Sequence, residues 1–228
     1  VAEYVTGYKT NLRTTITANF KLAQELDMIT KGLKFTGLFS FKNYSSSSTE
    51  RSASYNHYYM SSYDPSSMEY KITRIGDEQS TALTNDGSRN GDRKMYFQAI
   101  LDYNRIFKEV HDLNIMFLYN QEQYDINGPT TLFSSLPQRK QGVAGRVSYS
   151  YDGRYYIEGN FGYNGSENFA KGHRWGFFPS IALGYNISEE SFFEPLRKVI
   201  TSMKLRGSWG LVGNDQIGGE RFIYMPTI

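Results

Sequence analysis

The chain has 228 residues, no cysteine, and 25 Lys and Arg against 23 Asp and Glu, for a formal net charge of +2. The missing cysteines exclude a disulfide framework and thiolate chemistry, and the near-balanced charge gives no electrostatic reason to expect a nucleic-acid partner. Mean hydropathy is −0.54 and 16% of the residues are aromatic, 19 Tyr and 15 Phe among them, yet no apolar run approaches the roughly 18 residues of a membrane helix.

From the N-terminal side, the first ordered pattern is LRTTITANFKL at 12–22. Leu12, Ile16, Ala18, Phe20 and Leu22 fall on one side, Arg13, Thr15, Asn19 and Lys21 on the other. A period of two is the signature of a strand with unlike faces. After AQELDMITKG it returns at 33–42, where Leu33, Phe35, Phe39 and Phe41 oppose Lys34, Thr36, Ser40 and Lys42. Residues 43–92 are rich in Ser, Tyr, Asn and Asp and are expected to hold short strands of their own, for example at Tyr70–Ile75. The alternation resumes at 94–104 (Met95, Phe97, Ala99, Leu101, Tyr103) and, past RIFKEVH, at 112–122 (Leu113, Ile115, Phe117, Tyr119).

Strands at 143–151 and 154–164 flank Asp152-Gly153, a dipeptide that suits a two-residue hairpin turn. Stretch 176–186 carries Phe177, Ile181, Leu183 and Tyr185 on its apolar side. Its Pro179 is expected at a strand start, an edge or a bulge, because it lacks the ladder donor. In 187–202 a helical turn is expected to begin at Pro195. A last segment, 203–212, sets Met203, Leu205, Trp209 and Leu211 against Lys204, Arg206 and Ser208.

These are about eight segments of roughly ten residues, the length that lets a tilted strand cross a bilayer. Sandwich strands average about five or six. The connections alternate between short turns and long loops, the long ones at about 43–92, 123–142 and 165–175. Segregation of short turns to one end and long loops to the other is the habit of outer-membrane barrels. The reading is therefore an all-β, antiparallel, up-and-down transmembrane β-barrel segment in one domain, about eight strands of a larger barrel. Its apolar face meets the lipid bilayer, and Arg146, Glu158, Lys204 and Arg206 face the lumen.

RWGFFPSIALGYNISEESFF (174–193) and KLRGSWGLVGNDQIGG (204–219) resemble the barrel of the SusC/RagA family of TonB-dependent outer-membrane transporters, typical of Bacteroidetes. The hairpin YDGRYYIEGNFGYNGSENFAKGHRWG is similar to the same family, and strands from residue 12 onward fit it more loosely. The resemblance implies a 22-stranded barrel in the cell outer membrane and import of oligosaccharides or peptides. It also implies a SusD-like surface lipoprotein as partner and a TonB complex reached through an N-terminal part. This sequence shows no plug domain, TonB box or signal peptide, so an interior fragment of such a barrel is expected.

No covalent chemistry, cofactor or metal site is expected. His57, His111 and His173 lack metal spacing, and Asn85–Asp92 reads as a solvated turn without the distal glutamate of a calcium loop. Tyr55, Tyr58, Tyr59 and Trp175 are candidate ligand-binding residues, since exposed rings stack on sugars and peptides. The same rings also suit an interfacial girdle or loop packing. Two other functions remain open at this point: a passive porin or small structural barrel, and a soluble β-sandwich carbohydrate-binding module.

Overall fold

The alternating segments form strands in the computed structural model, which describes residues 7–80, 82–216, 222 and 224–225. Ten strands are present among them: β1 (Gly7–Glu25), β2 (Leu33–Ser52), β3 (His57–Asp64), β4 (Glu69–Ile75), β5 (Thr84–Phe107), β6 (His111–Asn127), β7 (Gln138–Tyr151), β8 (Tyr155–Ser166), β9 (Trp175–Asn186) and β10 (Lys204–Gly210). Eight make one sheet in the order β1-β2-β5-β6-β7-β8-β9-β10, and β3 pairs with β4 in a separate hairpin. From β6 to β10 every neighbour is antiparallel. The sheet is thus an up-and-down meander with β1 and β10 at its edges, and it does not close.

One expectation on extent is corrected. Strands β1, β2 and β5 run for 19, 20 and 24 residues, about twice the length that apolar alternation marks. The extra length is polar, as in Ser45–Ser48 and Thr84–Arg89. A backbone ladder forms there without an apolar stripe, so the pattern does not reveal it. The long connections shrink accordingly to 53–83, which contains β3 and β4, 128–137 and 167–174. The chain divides into two compact units. One holds the described residues of Val1–Thr15 with Tyr44–Gly91; the other holds Ile16–Asn43 with Asp92–Ile228.

In the first unit, Asn56 closes the base of the β3–β4 excursion, accepting from the Gln79 N–H at 2.7 Å and donating to the Gln79 carbonyl at 3.3 Å. Lys9 pairs with Glu50 at 3.0 Å, and Arg51 donates to the Tyr8 hydroxyl at 2.6 Å. A bulge between Met60 and Ser62 shifts the β3 register.

The second unit has tight turns at one end. Asp152 and Gly153 have φ of +51° and +64°, and the Arg154 N–H donates to the Tyr151 carbonyl at 2.9 Å. Both central residues are left-handed, as a type I′ hairpin demands. The β5–β6 turn has the same form with less suitable residues, Lys108 at +50° and Glu109 at +62°. Glu109→Gly should therefore stabilise the protein by about 1 kcal/mol, and Gly153→Val should destabilise it by at least as much. Urea midpoints of folding into lipid vesicles would read both changes; no shift at either position would contradict the turn geometry.

The 187–202 connection also departs from expectation. It forms two 3-10 helices, Ile187–Glu189 and Ser191–Lys198, and Pro195 lies inside the second instead of starting it. Glu194 early and Arg197 and Lys198 late complement the helix dipole. Pro179 sits inside β9, opposite Phe161. Its carbonyl accepts from the Leu211 N–H at 2.9 Å. In an antiparallel pair the N–H of such a residue points the same way, so its missing donor falls toward β10, just where that strand ends at Gly210.

The described residues have almost no packed interior. Among the described residues the buried apolar side chains are Phe193 and Phe222, at 3% and 5% exposure. The apolar faces of β5 to β10 lie open instead, including Leu101, Ile115, Phe161, Ile181 and Leu183. Among the described residues of the second unit no second layer covers them. A two-layer soluble sandwich buries these faces; this sheet does not.

Candidate functional site

The register sorts the second unit into two continuous faces. On one, Leu113, Tyr149, Ile157, Leu183 and Gly207 share a cross-strand row. The next row holds Ile115, Val147, Gly159, Ile181 and Trp209, and the one after it Phe117, Gly145, Phe161 and Pro179. Gly145 serves here as a notch: a Cβ on it would stand 2.3 Å from the Phe161 ring, which lies over it.

Aromatic rings bound this apolar band at both ends. At the turn end His111, Tyr151, Tyr155 and Tyr185 form a chain with ring centroids 5.2–6.5 Å apart, Tyr155 and Tyr185 stacked within 8°. At the loop end Tyr163 stacks on Trp175 at 4.7 Å, and Phe97 meets Tyr119 at 6.3 Å. Trp175 and Tyr185 are ten residues apart on β9, ~33 Å of strand at ~3.3 Å per residue. At a tilt near 40° that is about 25 Å along a membrane normal, the height of the apolar band of an outer-membrane barrel.

The turn-end row is tied down from below. The Tyr155 and Tyr185 hydroxyls donate to Glu190 at 2.7 and 3.2 Å, and Arg154 donates to the same carboxylate at 3.4 Å. The Tyr155 hydrogen bond leads in holding the Glu190 carboxyl below its ordinary pKa, against the opposing effect of burial. Arg197 donates to the Ser188 carbonyl at 2.7 Å and pairs with Glu189 at 3.2 Å.

The opposite face is polar. It carries Asn114, Asn120, Arg146, Ser148, Glu158, Asn160 and Asn164, with Lys204 3.8 Å above the Tyr156 ring. Ion pairs link neighbouring strands near the loop end, Lys94–Glu122 at 2.9 Å and Arg93–Asp125 at 3.2 Å. There the segment after β10 turns across the face, and Gly213 lies so near Phe178 that a Cβ would come within 2.1 Å of its ring. Asp215 then reaches Lys140 at 2.6 Å and the Ser166 hydroxyl at 2.8 Å. A cavity of about 720 Å³ results, with Tyr96, Asn120, Asn164, Phe178 and Asp215 in its lining.

Burial alone would raise the Asp215 pKa, but the bonds from Lys140 and Ser166 outweigh it and hold the carboxyl below its ordinary value of 3.8. A depressed carboxyl contributes stability that is present above its unfolded pKa and lost as pH falls through the folded one. A spin label at Asn214 should therefore stay immobile at neutral pH and gain motion only under acid conditions beneath that ordinary value. With Lys140→Met it should be mobile already at pH 7. Equal mobility in both proteins at pH 7 would dismiss the ion pair as an anchor.

A sheet with one bare apolar face, aromatic rows at both its ends and a wet opposite face is a length of barrel wall. Comparison with known proteins agrees. No family model matches the chain. Over 82 residues it is 43% identical to the TonB-dependent receptor SusC of Bacteroides thetaiotaomicron, a stretch covering 36% of this chain and 8% of that receptor. Over 122 residues it is 34% identical to the TonB-dependent receptor P39 of Formosa agariphila, covering 50% of this chain and 12% of that one.

The chain is similar to a barrel segment of SusC-type TonB-dependent receptors.

The fold carries the same likeness. The structure of the RagAB peptide transporter matches with a TM-score of 0.62 at 14% identity, over 95% of this chain and 24% of that one. The RagAB peptide importer in its open-open state matches at 0.60 and 16%, with the same coverage. The SusC-like chain thus spans a small part of the receptors it matches and about a quarter of the RagAB chain. Its place is the outer membrane.

Within this SusC-like wall the residues singled out from sequence separate. Arg146, Glu158, Lys204 and Arg206 all lie on the polar face. Arg146 and Glu158 are diagonal neighbours, because Arg146 pairs with Asn160, two positions on. The Arg146 Nε is buried with no hydrogen-bond partner, and Glu158 accepts from Asn160 at 2.8 Å. Trp175 lies in the loop-end aromatic row of the apolar face. Tyr55, Tyr58 and Tyr59 belong to the other unit; Tyr58 and Tyr59 are exposed on β3, while the Tyr55 hydroxyl is buried without a partner. Sequence reasoning missed the Glu190 ties and the cavity. Phe178 was the available signal for the cavity, since Phe177-Phe178 breaks the alternation and forces one ring onto the polar face.

Proposed function

We propose that this chain forms part of the wall of a TonB-dependent importer, and that the complete protein takes up oligosaccharides or peptides. The bare apolar band between two aromatic rows is the observation that carries this reading. In it the wall performs no covalent chemistry: Phe, Leu, Ile and Tyr face acyl chains, while Arg146, Glu158, Lys204 and Arg206 line a wet passage. Tyr55, Tyr58 and Tyr59 are proposed to contact ligand, Tyr58 and Tyr59 being exposed on the β3–β4 hairpin. Trp175 is proposed to act at the lipid–water boundary. A SusD-like lipoprotein at the surface and a TonB complex reached through another part of the protein complete the proposed assembly. Similarity to the TonB-dependent receptors SusC and P39 and the likeness of fold to the RagAB peptide transporter support it.

The test is uptake of labelled oligosaccharide and labelled peptide by cells carrying the complete gene, with and without a working TonB complex. Uptake of one class that vanishes without TonB is the expected result. Uptake that persists unchanged without TonB would favour a passive porin.

A further inference from the structure

We infer that the polar-face cavity beneath the segment after β10 binds the C-terminal carboxylate of a short peptide, with Arg174 as its anion-binding group. The inference rests on the reading of the chain as an importer wall, and it narrows the cargo. The cavity volume of about 720 Å³ falls within the roughly 300–1,000 Å³ of small-ligand sites, so it takes the end of a peptide and not a folded chain. The other charged side chains of its lining are committed: Glu122 pairs with Lys94, and Asp215 with Lys140. Arg174 also lines the cavity and has no carboxylate partner among the described residues. Its Nε donates to the Phe169 carbonyl at 3.2 Å, which fixes the plane of the guanidinium and leaves the two terminal nitrogens for a ligand. A guanidinium held in this way presents a fork that fits a carboxylate with two parallel hydrogen bonds.

The rest of the lining fits a peptide. Asn120, Gly142, Asn164 and Gly176 share one cross-strand row of the polar face. A Cβ on Gly142 would stand 2.2 Å from the Asn164 Oδ1 and 2.9 Å from the Asn120 Oδ1, so the two carboxamides lean together over a bare backbone. Each offers a carbonyl and an amino group, the complement of a peptide amide. Arg174 precedes Gly176 by two residues, and its carbonyl accepts from the Ser166 N–H at 3.0 Å. It therefore stands one row nearer the loops on the same face, a step of roughly 7 Å. That is the reach from a terminal carboxylate to the amides that precede it. Phe169, Phe178, Leu211 and Val212 add an apolar wall, which suits the last side chain of a peptide. The hydroxyls of an acidic sugar would lie against that wall without partners.

The experiment uses the complete receptor in detergent and three fluorescein-labelled probes: the peptide Ala-Ala-Leu as the free acid, the same peptide as its C-terminal amide, and digalacturonate. Fluorescence anisotropy gives each Kd. The free acid should bind about tenfold more tightly than the amide, the lower end for hydrogen bonds to a charged group. Arg174→Gln should remove that tenfold and leave the Kd of the amide unchanged, which also reports that the variant is folded. Arg174→Lys should recover only part of it, because the charge returns without the fork. Equal Kd values for acid and amide in the wild type, the same ratio in Arg174→Gln as in the wild type, no binding of either peptide, or tighter binding of digalacturonate than of the peptide would each overturn the inference. Uptake by cells separates the two levels. Uptake that needs TonB but is indifferent to Arg174→Gln sinks this site and leaves the importer intact. Absence of TonB-dependent uptake of any cargo sinks the importer reading as well.

Discussion

Phe161→Arg is expected to cost roughly 2–4 kcal/mol of folding free energy in lipid, while Glu158→Arg on the same strand costs far less. Phe161 pairs with Gly145 on β7 and Pro179 on β9, within one row of the midpoint between Trp175 and Tyr185. Near that midpoint a guanidinium has no water, and its alkyl stem must snorkel past more than one row to reach any. The substitution also uncovers Gly145, whose notch the Phe161 ring fills. Glu158 points the other way, beside Asn160 on the polar face, where either sign of charge stays hydrated. Urea-titrated folding of the complete protein into vesicles measures both changes. Equal losses would mean that the two faces share one environment.

The second large effect lies outside the bilayer. Phe193→Ala should cost about 3 kcal/mol, the lower end of the range for deleting a buried phenyl ring, because a short turn can partly collapse into the space. Phe193 is 3% exposed and lies in the first turn of the second 3-10 helix, its N–H donating to the Glu190 carbonyl at 3.0 Å. Ser188, in the first 3-10 helix, is also buried, and Arg197 of the second donates to its carbonyl. The loss should appear with faster protease cleavage within 187–202, while the strands keep their protection. Phe192→Ala, at a site 67% exposed one residue earlier, is the control and should be nearly silent. A silent Phe193→Ala would show that this turn does not anchor the wall.

The eight long strands and their faces were legible because a bilayer-crossing strand writes its environment into every second residue, as Ile157, Phe161 and Tyr163 do on β8. Strand ends were not. At Ser45–Ser48 and Thr84–Arg89 both faces are wet, so no contrast between neighbours records the ladder. The 3-10 turn was misplaced because Pro195 favours a helix start locally, whereas the buried Phe193 and the Ser188–Arg197 contact decide where the helix begins. Glu190 lies 35 residues from Tyr155, and no spacing rule joins them. The cavity depends on residues after β10 crossing back to Lys140, a long-range event that one segment cannot announce. Among the ligand candidates, Trp175 had two readings from sequence, and the register with Tyr163 and Phe177 is what sets it on the apolar face.

The central claim is that the apolar face of this sheet touches acyl chains and the polar face touches water. It is tested most directly by nitroxide labels placed one at a time on residues 177–185 of the complete receptor in lipid nanodiscs. This stretch contributes no native cysteine that would compete for the label. Collision with dissolved oxygen should peak at 177, 181 and 183, and collision with a water-soluble nickel chelate at 180, 182 and 184. Labels at 181 and 183 shielded from both reagents would place a protein layer over this face and contradict the account.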